Sequence, residues 1–279
     1  MVFGHRGVEI KTREQLLLMR RAGLVVAAAL AATRAAVRPG VSTRELDAVA
    51  AEVIRSAGAT PSFLDYGAHE GVGGFQGVTC LSVNEEVVHG VPGHRVLAEG
   101  DLLSIDCGAV VEGWHGDSAL TVAVGEVAPE ALALSEATRG ALWHGIAAAR
   151  LGGHVGDISA AVEEHVRSLD GGYGIVEEYV GHGIGSAMHQ PPNVPNYGRP
   201  GRGPKLERGL ALAVEPMVTL GSKYTELDDD EWTVVTDDGS WAAHFEHTFT
   251  LTPNGAWVLT ALDGGKAELE KLGLPYGGD

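Results

Sequence analysis

Four carboxylates stand where a carboxylate is expensive. Asp106 ends the run Leu-Leu-Ser-Ile, Asp117 precedes Ser-Ala-Leu-Thr-Val, Glu215 interrupts Leu-Ala-Leu-Ala-Val, and Glu246 falls between Ala-His-Phe and His-Thr-Phe-Thr-Leu. An ionised carboxylate inside a core must be paired or must coordinate a metal. Lys205 and Arg208 lie near Glu215 in the chain, whereas Asp106, Asp117 and Glu246 have no basic residue within several positions. For any one of them, hydrogen bonds from backbone N–H groups are the commoner explanation; four together favour metal. His182, in Gly-His-Gly-Ile-Gly, adds an imidazole whose flanking glycines permit close approach. Four negative charges exceed what one divalent ion neutralises and match two, and carboxylates bridging ions about 3.5–4 Å apart are a recognised hydrolytic arrangement. An oxygen-rich set with one imidazole and no thiolate favours Mn²⁺, Fe²⁺ or Co²⁺ over a closed structural zinc site.

Such a site needs a frame. Thr12 followed by Gln15 is a capping box, and helix formers run from Arg13 to Val37, where Pro39-Gly40 stops them. Ser42 with Glu45 repeats the signal and predicts a second helix to about Ala57, closed by Gly58. Thr60 to Gly77 reads as irregular loop and Thr79 to Val88 as extended. Leu102 to Asp106 and Ala119 to Val124 are predicted strands, with Gly-Trp-His-Gly in the turn between them. Pro129 to Arg150 and Asp157 to Leu169 are predicted helices, the second with Asp157 as N-cap. Leu210 to Val218, Trp232 to Thr236 and Ala243 to Thr252 are strand again. Clustered helices and antiparallel strands give the α+β class. No repeat or linker divides residues 1–279, so one catalytic domain is expected, with a short segment 1–11 and a short, loosely held tail from about 263.

Composition narrows the function. With 44% hydrophobic and 20% charged residues the chain lies away from the disordered regime. A net charge of −17 argues against nucleic acid, whose phosphates call for Lys and Arg. Seven acidic residues between Glu226 and Asp238 read as a solvated loop between strands. Only Cys80 and Cys107 occur, so no disulfide framework is expected and a reducing compartment is the simpler assumption. Met1 to Lys11 lacks a charged-then-apolar leader pattern. The apolar stretch Leu24 to Ala32 is far shorter than the roughly 20 residues of a membrane span and reads as buried helix. The expectation is a cytoplasmic enzyme without membrane attachment.

Several motifs extend this reading. Asp106-Cys-Gly-Ala-Val-Val-Glu-Gly-Trp-His-Gly-Asp117, Gly-His182-Gly-Ile-Gly, Met188-His189, Glu215-Pro-Met and Phe245-Glu246-His-Thr, with Ser82-Val-Asn-Glu and His89-Gly-Val-Pro upstream, resemble the motif series of type I methionine aminopeptidases, in order, from about Thr12 to Leu259. The resemblance implies the pita-bread fold, two similar α+β halves with the metals between them. It implies that Asp106 binds one ion, His182 and Glu215 the other, and that Asp117 and Glu246 bridge. A hydroxide held by the ions would attack the first peptide bond, Glu215 would move the proton, and His89 and His189 would contact the substrate amide and stabilise the tetrahedral intermediate. Tyr66, Phe75, Cys80, Met188 and Trp232 would surround the departing methionine. The expected partners are nascent polypeptide amino termini beginning with Met, acted on by a monomer, with ribosome contact open. The chain departs from the family pattern in a longer loop from Ala68 to Gly74 leading into Phe75-Gln76, in Val88 where a Cys often precedes the histidine, and in Met188 where Phe is frequent; all border the methionine pocket.

Two other functions would use much of the same frame. A proline-specific peptidase (aminopeptidase P or prolidase) shares fold and ligands but usually carries a large extra amino-terminal domain, whereas about a hundred residues precede Asp106 here. A non-catalytic pita-bread binding protein would have lost ligands, and all five ligand positions are occupied here.

Overall fold

The structure, a computed structural model, describes residues 2–4, 7–69 and 73–278; part of the lengthened loop and of segment 1–11 thus lies outside the described residues. The amino-terminal hairpin β1 (Val2–Gly4) and β2 (Val8–Ile10) leads into α1 (Arg13–Ala36) and α2 (Thr43–Ser56). Both predicted capping boxes form, Thr12 with Gln15 and Ser42 with Glu45. The strands β3 (Thr60–Pro61), β4 (Thr79–Val83), β5 (Glu86–Val88), β6 (Leu102–Val111) and β7 (Trp114–Ala123) follow, then α3 (Pro129–Ala148) and α4 (Val155–Arg167). The remainder is β8 (Gly174–Ile175), β9 (Gly181–Gly183), β10 (Gln190–Val194), β11 (Ala211–Val214), β12 (Met217–Thr219), β13 (Thr225–Leu227), β14 (Val234–Thr236), β15 (Ala242–His244), β16 (Glu246–Thr252), β17 (Gly255–Val258) and α5 (Lys266–Lys271).

The main sheet runs β10-β9-β11-β16-β7-β6-β3, with β4 also on β6 and β17 also on β16, and all its pairings are antiparallel. Helices cover one face only. Leu103, Ile105, Cys107 and Ala109 of β6 join Val26, Ala29, Leu46 and Ile54 of α1 and α2 in one core, while Leu212 and Val214 of β11 join Leu142, Ile146, Ile158 and Val162 of α3 and α4 in another. Each half is therefore a helix pair laid over antiparallel strands, as the resemblance implied. By length and composition α1 is apolar enough to cross a membrane. Its apolar side is instead engaged by the sheet, with Met19, Ala22, Val26 and Ala29 fully buried.

Several boundaries differ from expectation. The β6–β7 hairpin is longer and turns at Glu112-Gly113, both at positive φ, so Trp114, His115 and Gly116 belong to β7. His154, not Asp157, is the N-cap of α4; Asp157 is the N3 partner whose carboxylate accepts from the His154 N–H at 2.7 Å. The predicted strand over Leu210 to Val218 breaks at Glu215-Pro216, because proline has no N–H to give a ladder. The tail expected to be loose is packed: Leu269 is buried, Gly277 N–H donates to Ala256 O at 2.8 Å, and Thr252 Oγ1 donates to Gly277 O at 2.8 Å. The acidic residues from Glu226 to Asp238 are exposed as expected, and Asp230 also closes the turn that carries Trp232, accepting from its N–H at 2.8 Å.

The amino-terminal hairpin is tied to the interior by charge. Glu9 and Lys11 are both buried, with Lys11 Nζ 3.5 Å from Glu9 Oε2. Glu9 accepts from Ser186 N–H at 3.0 Å and from Ser186 Oγ at 2.6 Å. A Cβ on Gly185 would overlap Glu9 Oε2 and Lys11 Cε, so a larger residue there would have to displace this pair.

Candidate metal centre

The face of the sheet turned away from the helices carries the carboxylates. Alternation along β6 sends Leu103, Ile105 and Cys107 to the helices and therefore Ser104 and Asp106 to the other face. Asp106 is register-paired with Cys80 of β4 on one side and Ala119 of β7 on the other; Asp117 precedes Ala119 by two and shares its face. Glu246, at the start of β16, also pairs with Ala119. Glu215 occupies the break between β11 and β12, held where Asn196 Nδ2 donates to its carbonyl at 3.0 Å. His182 lies in the middle of β9, where a Cβ on Gly183 would overlap the carbonyl of Pro191 in β10. The flanking glycine thus admits a close neighbouring strand as much as a ligand.

The imidazole orientation is determined by the backbone. His182 Nδ1 lies 2.9 Å from Gly183 O, an acceptor only, so Nδ1 carries the proton and Nε2 presents a lone pair. That nitrogen is 3.4 Å from Glu215 Oε1 and 3.9 Å from Asp117 Oδ2. Ligand atoms of Asp117, His182 and Glu246 all lie within 4.8 Å of one another.

Electrostatically the cluster is unsatisfied. Asp106 Oδ1, Asp117 Oδ1 and Glu246 Oε1 are buried with no hydrogen-bond partner. Burial lifts the Asp106 carboxyl to about 7. Burial, then Glu246 and Asp106, lift Asp117; burial, then Asp117 and Asp106, lift Glu215; burial, then Glu215 and Asp106, lift Glu246. Burial lowers His182 to about 3, so it stays neutral and able to ligate. Orphaned carboxylate oxygens converging with one imidazole lone pair fit a pair of divalent cations, which would satisfy every one of these atoms.

All the site residues predicted from the sequence line one cavity of about 130 Å³: Tyr66, Phe75, Cys80, His89, Asp106, Asp117, His182, Met188, His189, Glu215, Trp232 and Glu246. Its apolar end is a cluster of Phe63, Phe75, Cys80 and Met188, backed by Val91 and Trp232. The Phe75 ring stands edge-on to Trp232 at 5.5 Å and to Phe63 at 6.4 Å. Of the family departures, Val88 and Met188 line this cavity, as does Phe75, at the end of the longer loop. His89 takes a positive φ of 61°, a conformation a non-glycine residue adopts under constraint, and its ring meets Tyr179 edge-on at 5.7 Å. Burial, then His189, lowers its imidazole to about 4.

Tyr66 differs in emphasis from expectation. It is 42% exposed at the mouth, outside the apolar cluster, and its hydroxyl lies 2.6 Å from His189 Nδ1. Sequence reasoning missed Phe63, whose position inside a presumed loop concealed it, and His244. His244 is buried, its Nε2 has no hydrogen-bond partner and lies 3.9 Å from Glu246 Oε2. The segment His244-Phe245-Glu246 held a usable signal, since residues two apart in extended chain share a face.

Comparison with known proteins agrees with this geometry. Residues 17–253 match the model of metallopeptidase family M24. The chain is 51% identical over 262 residues to methionine aminopeptidase 1 of Mycobacterium tuberculosis, covering 92% of this chain and 96% of that one. It is 47% identical over 252 residues to the methionine aminopeptidase of Clostridium acetobutylicum, covering 90% and 98%. The crystal structure of methionine aminopeptidase from Thermotoga maritima superposes with a TM-score of 0.86 at 41% identity, covering 91% of this chain and 99% of that chain. A pita-bread frame, a convergent carboxylate and imidazole set and matches of this extent lead to one conclusion: the chain belongs to metallopeptidase family M24, among its methionine aminopeptidases.

Proposed function

We propose that this chain removes the amino-terminal methionine of nascent polypeptides by metal-dependent hydrolysis of the first peptide bond, acting as a monomer in the cytoplasm. Residues 1–279 are read as one catalytic domain. The observation that carries the proposal is a cluster of orphaned carboxylate oxygens around His182 opening directly onto an apolar slot of Phe63, Phe75, Cys80, Met188 and Trp232. Soft sulfur and aromatic edges suit a thioether side chain.

In this reading Asp106, Asp117, His182, Glu215 and Glu246 would together hold two divalent ions, with Mn²⁺, Fe²⁺ or Co²⁺ as the metal. When bound, the ions supply Lewis acidity, lowering the pKa of water toward neutrality and polarising a carbonyl. The chain does the rest. The slot takes the methionine side chain and fixes the register of the first peptide bond. Glu215 accepts a proton from the attacking water and returns it to the leaving nitrogen. His89 and His189, kept neutral by burial, donate hydrogen bonds to the substrate amide and to the oxygen that gains charge in the tetrahedral intermediate. The direct test offers Met-Ala-Ser and Xaa-Pro peptides to metal-reconstituted protein. Methionine release from the first alone is expected, and chelation abolishes it; cleavage confined to Xaa-Pro peptides points to a prolidase-type activity, and protein that takes up no metal points to a binding module.

A further inference from the structure

Two neighbouring imidazoles in the cavity are held in different ways. The rings of His182 and His189 lie 4.3 Å apart, centroid to centroid. A carbonyl that can only accept holds the proton of His182 on Nδ1. At His189 the same ring atom meets a phenol, which can donate: Tyr66 Oη is 2.6 Å from His189 Nδ1, with the rings edge-on at 5.2 Å and 72°. We infer that Tyr66 is a positioning residue whose hydroxyl donates to His189 Nδ1, so that His189 carries its proton on Nε2 and presents a donor to the substrate. The inference rests on the proposed peptidase function for the direction of this hydrogen bond and for its kinetic consequence.

A neutral imidazole has one N–H and one lone pair. If His189 is to stabilise negative charge developing on a carbonyl oxygen, its free nitrogen must be the donor, so Nδ1 must accept. A donor at Nδ1 secures that tautomer, and the Tyr66 phenol is hydrogen-bonded there. The backbone around Tyr66 fixes it in place. Tyr66 N–H donates to Phe63 O at 2.8 Å, Phe75 N–H donates to Tyr66 O at 3.0 Å, and Asp65 N–H donates to Phe75 O at 2.9 Å. The two ends of the family-atypical loop are thereby cinched at the residue that reaches His189, while Phe75 on the other side of the cinch enters the apolar slot. One closure sets both the slot wall and the histidine.

The test is Tyr66→Phe, which removes one oxygen from a half-exposed ring and leaves the fold intact. Loss of a single neutral hydrogen bond that acts mainly in the transition state should lower kcat about tenfold with KM for Met-Ala-Ser changed less than twofold. In metal-free, ¹⁵N-histidine-labelled protein, long-range ¹H–¹⁵N correlations should report His189 as the Nε2–H tautomer, and as a mixture in Tyr66→Phe. In a His189→Ala background, Tyr66→Phe should have no further effect on kcat. Unchanged kcat with an unchanged tautomer, or an equal loss in the His189→Ala background, overturns the inference. If the wild-type chain cleaves no methionyl peptide, the peptidase reading fails, and the tautomer measurement still decides the role of Tyr66.

Discussion

Asp106 and Glu246 stand at one level of the sheet, each register-paired with the same residue, Ala119, on the strand between them. Directly paired residues project to one face with Cβ atoms about 5 Å apart. A methyl group is therefore all that separates two buried carboxylates, and Asp117 faces the same space from one pleat away.

The smallness of Ala119 has a measurable consequence. In Ala119→Leu the branched chain would enter the space between the two carboxylates and displace ligand atoms by an ångström or more. Metal content per chain should fall and activity should drop by about a hundredfold or more, with cooperative thermal unfolding retained. Full metal stoichiometry in that variant would show that the row is not the metal cradle.

Proton competition should be visible in metal binding. The folded pKa of Asp106, about 7, is raised above its ordinary 3.8, so the metal-free fold favours the protonated carboxyl; this contribution is complete below pH 3.8 and is lost as pH rises through 7. Metal needs the ionised form, so affinity should weaken below about pH 7 and binding should release protons. His182, at about 3, stays neutral across that window and contributes no opposing loss. The gap in Tm between metal-loaded and metal-free protein should widen from pH 5.5 to pH 8. Calorimetry in buffers of different ionisation enthalpy measures the protons released; none released at pH 6 would contradict the assignment.

His89 should separate from the ligands. His89→Ala is expected to keep its metal and lose turnover, by about a hundredfold to a thousandfold for one such donor, while Asp106→Ala loses metal as well. Metal analysis and steady-state kinetics on the same preparations distinguish the two. Equal metal loss in both variants would make His89 a ligand.

Trp232 packs edge-on against Phe75 and forms one wall of the slot. Trp232→Ala should raise KM for methionyl peptides. An apolar pocket discriminates a missing methylene by only about 1–3 kcal/mol, so leucine and norleucine peptides should be weak substrates for the wild type. A side-chain preference that Trp232→Ala leaves untouched would remove Trp232 from the pocket.

Much of this site is legible in the sequence. Asp106 and Glu246 stand out because they end or interrupt apolar runs, and the energetic penalty of a carboxylate there points to metal without reference to a fold. The two capping boxes declare themselves because their partners are three residues apart. What escaped depends on long-range pairing. Nothing local in Leu-Leu-Ser-Ile-Asp106 or Phe245-Glu246 says that both face Ala119, since register is set by the assembled sheet. Phe63 sits in a stretch without periodicity, and the tail beyond Leu262 is polar enough to read as loose, although Leu269 and Tyr276 anchor it to the sheet strand that ends at Val258. Asp157 was misplaced by one turn position because Asp serves equally as N-cap and as N3 partner, and only the backbone of His154 distinguishes them.

The tie between Glu9 and Ser186 joins residues 177 positions apart. As the chain leaves the ribosome, Glu9 on β2 therefore has Lys11 beside it from the start but lacks its two Ser186 hydrogen bonds until that residue has been made, and contacts of such separation are slow to form. Lys11, whose ammonium burial lowers to about 8, and Glu9 stay hydrated until then. The loop that bears Met188 and His189 gains the Ser186 hydrogen bonds only when Glu9 comes back to meet it. The order of synthesis and the order of contact are thus opposed here: Glu9 is made well before Ser186, yet its hydrogen bonds wait for that residue.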